Sequence, residues 1–239
     1  MGFEKENKKA LKTGNSELDR LIGGIPIPSM DLVEGVNDSG KSVFVQQLTY
    51  GALHQGFKVR YLTTENTIKS LISQMTSITL DITPFFISGK LNITPLHVKG
   101  LLWDDTTSMY HLTLLLNFLN EKDKSDLIII DSLTYLVTHA ITNDVLDFFS
   151  GCRNIVDYNE KTIIITIHPY AFESDLMARI RSICDGHFTL KVKEVGEKTV
   201  RMLEIAKLRG AQKITGNIIS FEVDPVFGLK IVPLTQARA

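Results

Sequence analysis

The stretch Gly35-Val36-Asn37-Asp38-Ser39-Gly40-Lys41-Ser42 fits the phosphate-loop pattern G-x-x-x-x-G-K-[ST] and decides the fold. Ahead of it, Met30-Asp31-Leu32-Val33-Glu34 is short and partly apolar, as expected of a buried strand. Behind it, Val45, Leu48 and Ala52 recur at i, i+3 and i+7, one face of a helix that Gly56 ends. Strand, glycine loop and helix together give the pattern its meaning. Gly35 and Gly40 admit backbone angles and close approaches that a Cβ forbids. Successive backbone N–H groups then face inward as an anion nest at the positive end of the helix. Lys41 is placed to reach the β- and γ-phosphates, and the Ser42 hydroxyl to ligate Mg²⁺. Residues Gly35 to Ser42, with Val43 at the start of the helix, are the predicted ATP contacts. The plainer alternative is a glycine turn before a helix; the context favours nucleotide binding. Asp38 is out of character, because a carboxylate inside the nest opposes the charge the nest holds. It is expected to point to solvent or to a partner residue.

The rest of the chain continues the pattern. Lys58 to Thr64 reads as a second strand, ending at Glu65-Asn66, and residues 67–76 as a helix. Residues 81–100 are interrupted by Pro84 and Pro95 around a β-like stretch, Leu91 to Thr94. An amphipathic helix follows over 108–121. Asp126-Leu127-Ile128-Ile129-Ile130-Asp131 is a continuous apolar run ending in a carboxylate, the signature of a strand buried on both faces. Then come a helix at about 143–158, a strand from Thr162 to Ile167 ending in His168-Pro169, a helix from Ser174 to Cys184, and a strand from Phe188 to Val195. From Lys198 the elements are closely spaced strands, Val200 to Ala206, Asn217 to Val223 and Leu229 to Val232, with turns at Gly210, Gly216 and Gly228. Alternating strands and helices predict an α/β fold with a mainly parallel sheet, its ligands at the carboxyl ends of the strands. The late strands are expected as an antiparallel extension at one edge. The phosphate loop, Glu65, Asp131 and His168 would then meet, because each ends a core strand.

With 239 residues, 44% apolar and 22% charged, the chain can bury one large core, and it is read as a single domain. Glu4 to Lys12 is expected to be a solvated arm, so residues 1–12 are set apart. A net charge of −1 provides no global basic field for nucleic acid. Cys152 and Cys184 have no metal spacing and are expected as buried free thiols in a reducing cytosol. No apolar run approaches the roughly 20 residues of a membrane span.

Asp131 fits the Walker B aspartate that holds Mg²⁺ through water; the alternative is a strand-end cap on the turn with Ser132. Residue 132 is Ser, so the candidate for orienting an attacking water is Glu65, whose other reading is an exposed loop glutamate. Thr166 and His168 end a strand where a γ-phosphate sensor would sit, against a His packed beside Pro169 for structural reasons. Lys207-Leu208-Arg209-Gly210 ends a strand far along the chain. Its two cations project together, either as a surface pair or toward a neighbouring subunit's γ-phosphate.

Three features together resemble the KaiC-type branch of the RecA-like ATPases. They are Thr13-Gly14 through Leu18-Asp19 to Gly23-Gly24-Ile25-Pro26 leading into the loop; Leu127 to Asp131; and Lys207-Leu208-Arg209-Gly210 followed by Phe221-Glu222-Val223 and Gly228-Leu229. The resemblance implies hexameric rings with ATP between subunits, and it favours Lys207 and Arg209 as trans-acting cations. Within that branch, Asn37-Asp38-Ser39 and the tail Pro233-Leu234-Thr235-Gln236-Ala237-Arg238-Ala239 resemble the accessory ATPases of the archaellum, the archaeal flagellum. This implies a cytoplasmic ring at the membrane face, working with the motor ATPase FlaI and the membrane platform FlaJ. ATP would act there more as a switch than as fuel. Two departures bear on that reading. Pro28 stands where such chains usually carry glycine, stiffening the approach to the first strand. Thr64-Glu65 stands where they usually carry two glutamates, which argues against efficient hydrolysis. A turnover ATPase and a DNA-binding recombinase are the competing readings, the latter disfavoured by charge.

Overall fold

A computed structural model describes residues 10–96, 104–120, 124–195, 198–211, 218–226 and 228–232. Strand β1 (Ala10–Leu11) pairs antiparallel with β2 (Ile25–Pro26), with helix α1 (Ser16–Ile22) between them in the chain. Next come β3 (Met30–Gly35), the loop helix α2 (Lys41–His54), β4 (Val59–Thr63), α3 (Ile68–Ser77), α4 (Thr83–Ile87) and β5 (Leu91–Pro95). The middle of the chain forms α5 (Asp105–Asn120), β6 (Leu127–Asp131), α6 (Thr134–Val137), α7 (Thr142–Asn159) and β7 (Thr162–Ile167). A 3₁₀ turn at Pro169–Ala171 leads to α8 (Ser174–Ile183), then β8 (Gly186–Val195), β9 (Lys198–Leu208), β10 (Ile218–Asp224) and β11 (Gly228–Ile231).

The main sheet runs β11-β10-β9-β8-β3-β7-β6-β4-β5. From β8 to β5 the strands are parallel, and β9, β10 and β11 extend the sheet antiparallel, as the close strand spacing predicts. β3 lies between parallel neighbours, and all six of its residues are buried. Alternate side chains feed opposite faces. Val33, Leu127 and Ile129 join a core with α1 and α2, while Met30, Leu32, Ile128 and Ile130 join a second core under α5, α7 and α8. Register pairs Thr63 with Asp131 and Glu34 with Ile167, which brings the ends of β3, β4, β6 and β7 to one edge.

Several boundaries differ from the sequence reading. Residues 10–12 are not part of an arm: Leu11 is buried, and Lys12 donates its N–H to Gln55 Oε1 and its Nζ to the Gly23 carbonyl, both at 2.7 Å. Pro84 does not break structure but stands in the first turn of α4, where its missing N–H costs nothing. α5 starts at Asp105, earlier than the apolar spacing shows, because the Asp104 carboxylate accepts from the Thr107 N–H at 2.7 Å and caps it. Asn15 caps α1, accepting from Leu18 N at 3.0 Å. Both cysteines are free and buried. Glu4 to Lys9, the turn at Gly216 and the tail from Pro233 lie outside the described residues.

Candidate nucleotide site

The phosphate loop is pinned on a single carbonyl. Val36 C=O accepts from Ser39 N at 3.3 Å, Ser39 Oγ at 2.7 Å and Lys41 Nζ at 2.8 Å. Close packing explains both glycines. A Cβ on Gly35 would stand 2.4 Å from Ser39 Oγ, and one on Gly40, at φ +91°, would stand 2.9 Å from the Phe221 ring. Asp38 also has positive φ (58°) and is exposed, as its charge requires; its carbonyl accepts from Arg201 Nε at 2.8 Å. Beneath the loop, buried Glu34 takes two bonds from Arg181, at 2.7 and 2.6 Å, and a contact from His187 Nε2 at 2.8 Å. Burial opposes its ionisation, but these partners outweigh it and hold the carboxyl at about 2. The strand ahead of Gly35 is thereby anchored by charge as well as by packing.

The loop opens into a cavity of about 550 Å³. Asn37, Asp38, Gly40, Lys41, Ser42 and Val43 line it from the loop and α2; Glu65, Asp131, Ser132 and His168 come from the strand ends; Arg201 and Val223 come from the extension. Gly35, Val36 and Ser39 build the loop without lining the cavity. Asp131 is the centre of a hydroxyl network. Its Oδ1 accepts from Thr166 Oγ1 at 2.8 Å and Ser42 Oγ at 3.3 Å, and its Oδ2 from Tyr61 OH at 2.6 Å. The Asp131 carboxylate and the Ser42 hydroxyl thus stand side by side in the cavity wall.

Glu65 stands exposed at the rim just after β4, its carboxylate anchored by no hydrogen bond from a described residue. Partial desolvation, then the nearby Asp131, raises its pKa, while Lys41 opposes the rise. Desolvation lowers the pKa of Lys41, offset by Asp131, Glu65 and Asp38. His168 is held at about 4 by burial and by Lys41, so the ring is neutral at physiological pH. Its Nδ1 lies 3.0 Å from Thr134 Oγ1, which also accepts from the His168 N–H at 2.9 Å. The sensor and packing readings of His168 thus coincide in one place: it is fixed by Thr134 and still lines the cavity.

The residues suit Mg²⁺. Among those described, no group of three or more His, Cys, Asp or Glu forms a metal cage. Mg²⁺ does not need one, since it keeps much of its water and uses a carboxylate and phosphate oxygens. Ser42 and Asp131 are the donors on hand.

A family model for the KaiC ATPases matches residues 11–236. The archaeal flagellar ATP-binding protein FlaH of Sulfolobus acidocaldarius is 38% identical over 96% of this chain and 99% of that protein. The chain belongs to the FlaH group of the KaiC-type ATPases. The crystal structure of the flagellar accessory protein FlaH from Methanocaldococcus jannaschii is 25% identical, covers 94% of this chain and 99% of that one, and superposes with a TM-score of 0.82. A KaiC-like protein from Pyrococcus horikoshii shares the fold at 23% identity, covering 94% and 99% of the two chains, with a TM-score of 0.73.

The K-x-R-G element of the KaiC-type resemblance does not reach the cavity of its own chain. Lys207 pairs in register with His187, itself level with Leu32 in the middle of β3, and the chain runs from there toward the amino end of β3, where Arg209 N donates to Asp185 O at 3.0 Å. There Lys207 Nζ donates to the carbonyls of Arg181 at 3.0 Å, Ser182 at 3.3 Å and Cys184, closing the C-terminal end of α8. Arg209 Nη2 donates to Ser182 O at 3.2 Å, and its Nη1 lies 3.4 Å from Asp185 Oδ1. Lys207 is therefore a helix cap within the subunit, whereas the Arg209 side chain stays 57% exposed. In this KaiC-type site the residues missed from sequence are Tyr61, Arg201 and Val223. Tyr61 reads as a core aromatic in a strand. The other two sit on antiparallel strands more than 150 positions beyond the loop and return to it only through the sheet order.

Proposed function

We propose that this chain binds ATP with Mg²⁺ in the loop cavity and serves the archaellum machinery as a nucleotide-dependent switch. The observation that carries the reading is the convergence of Lys41, Ser42 and Asp131 on one cavity. Loop N–H groups and Lys41 would hold the phosphates, and Ser42 and Asp131 the metal. Slow or absent hydrolysis follows from the water-activating side. Thr64, where a second carboxylate would stand, spends its hydroxyl on the Ser132 backbone, 3.1 Å from the carbonyl and 3.2 Å from the N–H. Glu65 is held by its backbone N–H on Thr63 Oγ1 at 3.3 Å, but its carboxylate takes no hydrogen bond from a described residue to orient it. The rival reading, a turnover ATPase, draws on the same Glu65, whose raised pKa suits a general base.

The switch would act through a homo-oligomeric ring, a hexamer by family resemblance, docked on FlaI and FlaJ at the cytoplasmic face of the membrane. No helix among the described residues is long and apolar enough to cross a membrane itself. What supports a head-to-tail ring is that Arg209 and the phosphate loop lie toward opposite ends of β3. Lys207 is tied to three carbonyls at the end of α8, whereas Arg209, 57% exposed, is held by Ser182 O at 3.2 Å and the long contact to Asp185 at 3.4 Å, so Arg209 is the one of the two that would turn to a neighbouring cavity.

Calorimetry and single-turnover hydrolysis on one preparation test the reading. Tight ATP binding with hydrolysis slower than about one per minute fits a switch; turnover near the median enzyme rate of about 10 per second sinks it. Light scattering with and without ATP checks the ring.

A further inference from the structure

We propose that Tyr61 is a positioning residue for the magnesium carboxylate, fixing which oxygen of Asp131 faces the metal. The inference rests on the reading of the cavity as a Mg²⁺–ATP site. Tyr61 lies in the middle of β4 and is wholly buried, its ring part of the core that α2 covers. A phenylalanine would fill that core equally well. The hydroxyl needs partners there: it donates to Asp131 Oδ2 at 2.6 Å, and buried Gln46 of α2 bonds the same phenol.

The two carboxylate oxygens are held from different sides. Ser42 lines the cavity and bonds Oδ1, so Oδ1 is the oxygen on the metal side. Tyr61 does not line the cavity; it takes Oδ2 from within the core. A phenol is a hydrogen-bond donor at neutral pH. With Oδ2 tied to Tyr61 and Thr166 Oγ1 on Oδ1 at 2.8 Å, the carboxylate is held against rotation and presents a single oxygen to the metal shell. Without the phenol, Oδ2 would be a buried charged oxygen with no donor, and the group would turn to find one. Outer partners of this kind are worth tenfold or more in metal affinity.

Titration of ATP into the full chain over a range of free Mg²⁺, and in EDTA, tests this with Tyr61→Phe, Asp131→Asn and the double variant. Tyr61→Phe should raise the free Mg²⁺ needed for half the metal effect by about tenfold. Affinity for ATP in EDTA should stay within about twofold, and in the Asp131→Asn background Tyr61→Phe should change nothing further. A folded Tyr61→Phe chain with the parent Mg²⁺ midpoint overturns the inference. So does an equal loss of ATP affinity with and without Mg²⁺, which would mark Tyr61 as a packing residue only. If Tyr61→Phe does not fold, 3-fluorotyrosine at position 61 decides: its stronger donor should lower the midpoint, and no change overturns the role. Should the parent bind no ATP, or bind it without regard to Mg²⁺, the reading of the cavity fails with it. If Asp131→Asn loses the Mg²⁺ effect while Tyr61→Phe keeps it, only the role of Tyr61 fails.

Discussion

The two ends of β3 are built from the same kinds of residue and do opposite things. At its carboxyl end Lys41 rests on a loop carbonyl, Asp131 is held by three hydroxyls, and the Glu65 carboxylate takes no hydrogen bond from a described residue. At its amino end, about 20 Å away along six residues, the charges close on one another. Asp185 accepts from Met30 N at 3.0 Å, pairs with Arg153 and approaches Arg209; Arg153 also pairs with Asp157; Lys207 caps α8. Charges satisfied by opposite charges hold the fold together. Charges satisfied by hydroxyls and carbonyls give up little when a phosphate or a metal replaces that partner. Two groups cross the division, Glu34 under the loop, held by Arg181 and His187, and Lys207 at the far end, held by carbonyls; neither lines the cavity, and the groups that do are the ones left available to a ligand.

The sharpest way to break the comparison is to remove Lys41 at the open end. Lys41→Ala should cut ATP affinity by about 100-fold, the loss of charge-assisted bonds worth about 3 kcal/mol, and leave the melting temperature of the free chain nearly unchanged. Calorimetry and a thermal melt on one sample read both. Unchanged affinity would overturn the loop assignment, and a collapse of stability would mean that the open end is structural after all.

Asp185→Ala is the mirror image. It strips Met30 N–H and Arg153 of a partner, which should cost about 2 kcal/mol, since partly exposed ion pairs add little beyond the bond to the backbone. The expected drop in melting temperature is about 4–8 °C, with ATP affinity within about twofold of the parent because the sites are far apart. A larger change in affinity than in stability would show that the closed end also serves the nucleotide.

What the sequence shows and hides follows the same division. Gly35 to Ser42 and Asp131 are legible because each sits in a local pattern, a loop between strand and helix or a carboxylate after an apolar run. The convergence of strand ends follows from parallel topology alone. The partners are hidden. Nothing near Tyr61 indicates that register sets Thr63 against Asp131 and so brings the phenol to the carboxylate. Glu34 reads as the polar tail of a strand because Arg181 and His187, which make its burial tolerable, come from α8 and β8. Lys207 reads as half of a reaching pair because the α8 carbonyls it caps are adjacent only after β9 folds back on β8. Local chemistry is written in spacing; pairing over long range is written in the sheet.

The closed end has one defect, and it yields the smallest effect. Asp31, wholly buried, is bonded through Oδ2 by Ser29 Oγ at 2.7 Å, while Oδ1 has no hydrogen-bond partner. Desolvation raises its pKa from 3.8 to about 7, with nearby Asp185 adding to the rise. Because the folded value lies above the unfolded one, the folded chain binds the extra proton between those values. This group's contribution to stability is intact below 3.8 and is lost as pH rises through about 7. Asparagine cannot titrate and keeps an acceptor for Ser29. Asp31→Asn should therefore raise the melting temperature relative to the parent more at pH 8 than at pH 5. Equal differences at the two pH values would mean that Asp31 is already neutralised by a partner in the folded chain, and the closed end would then have no defect.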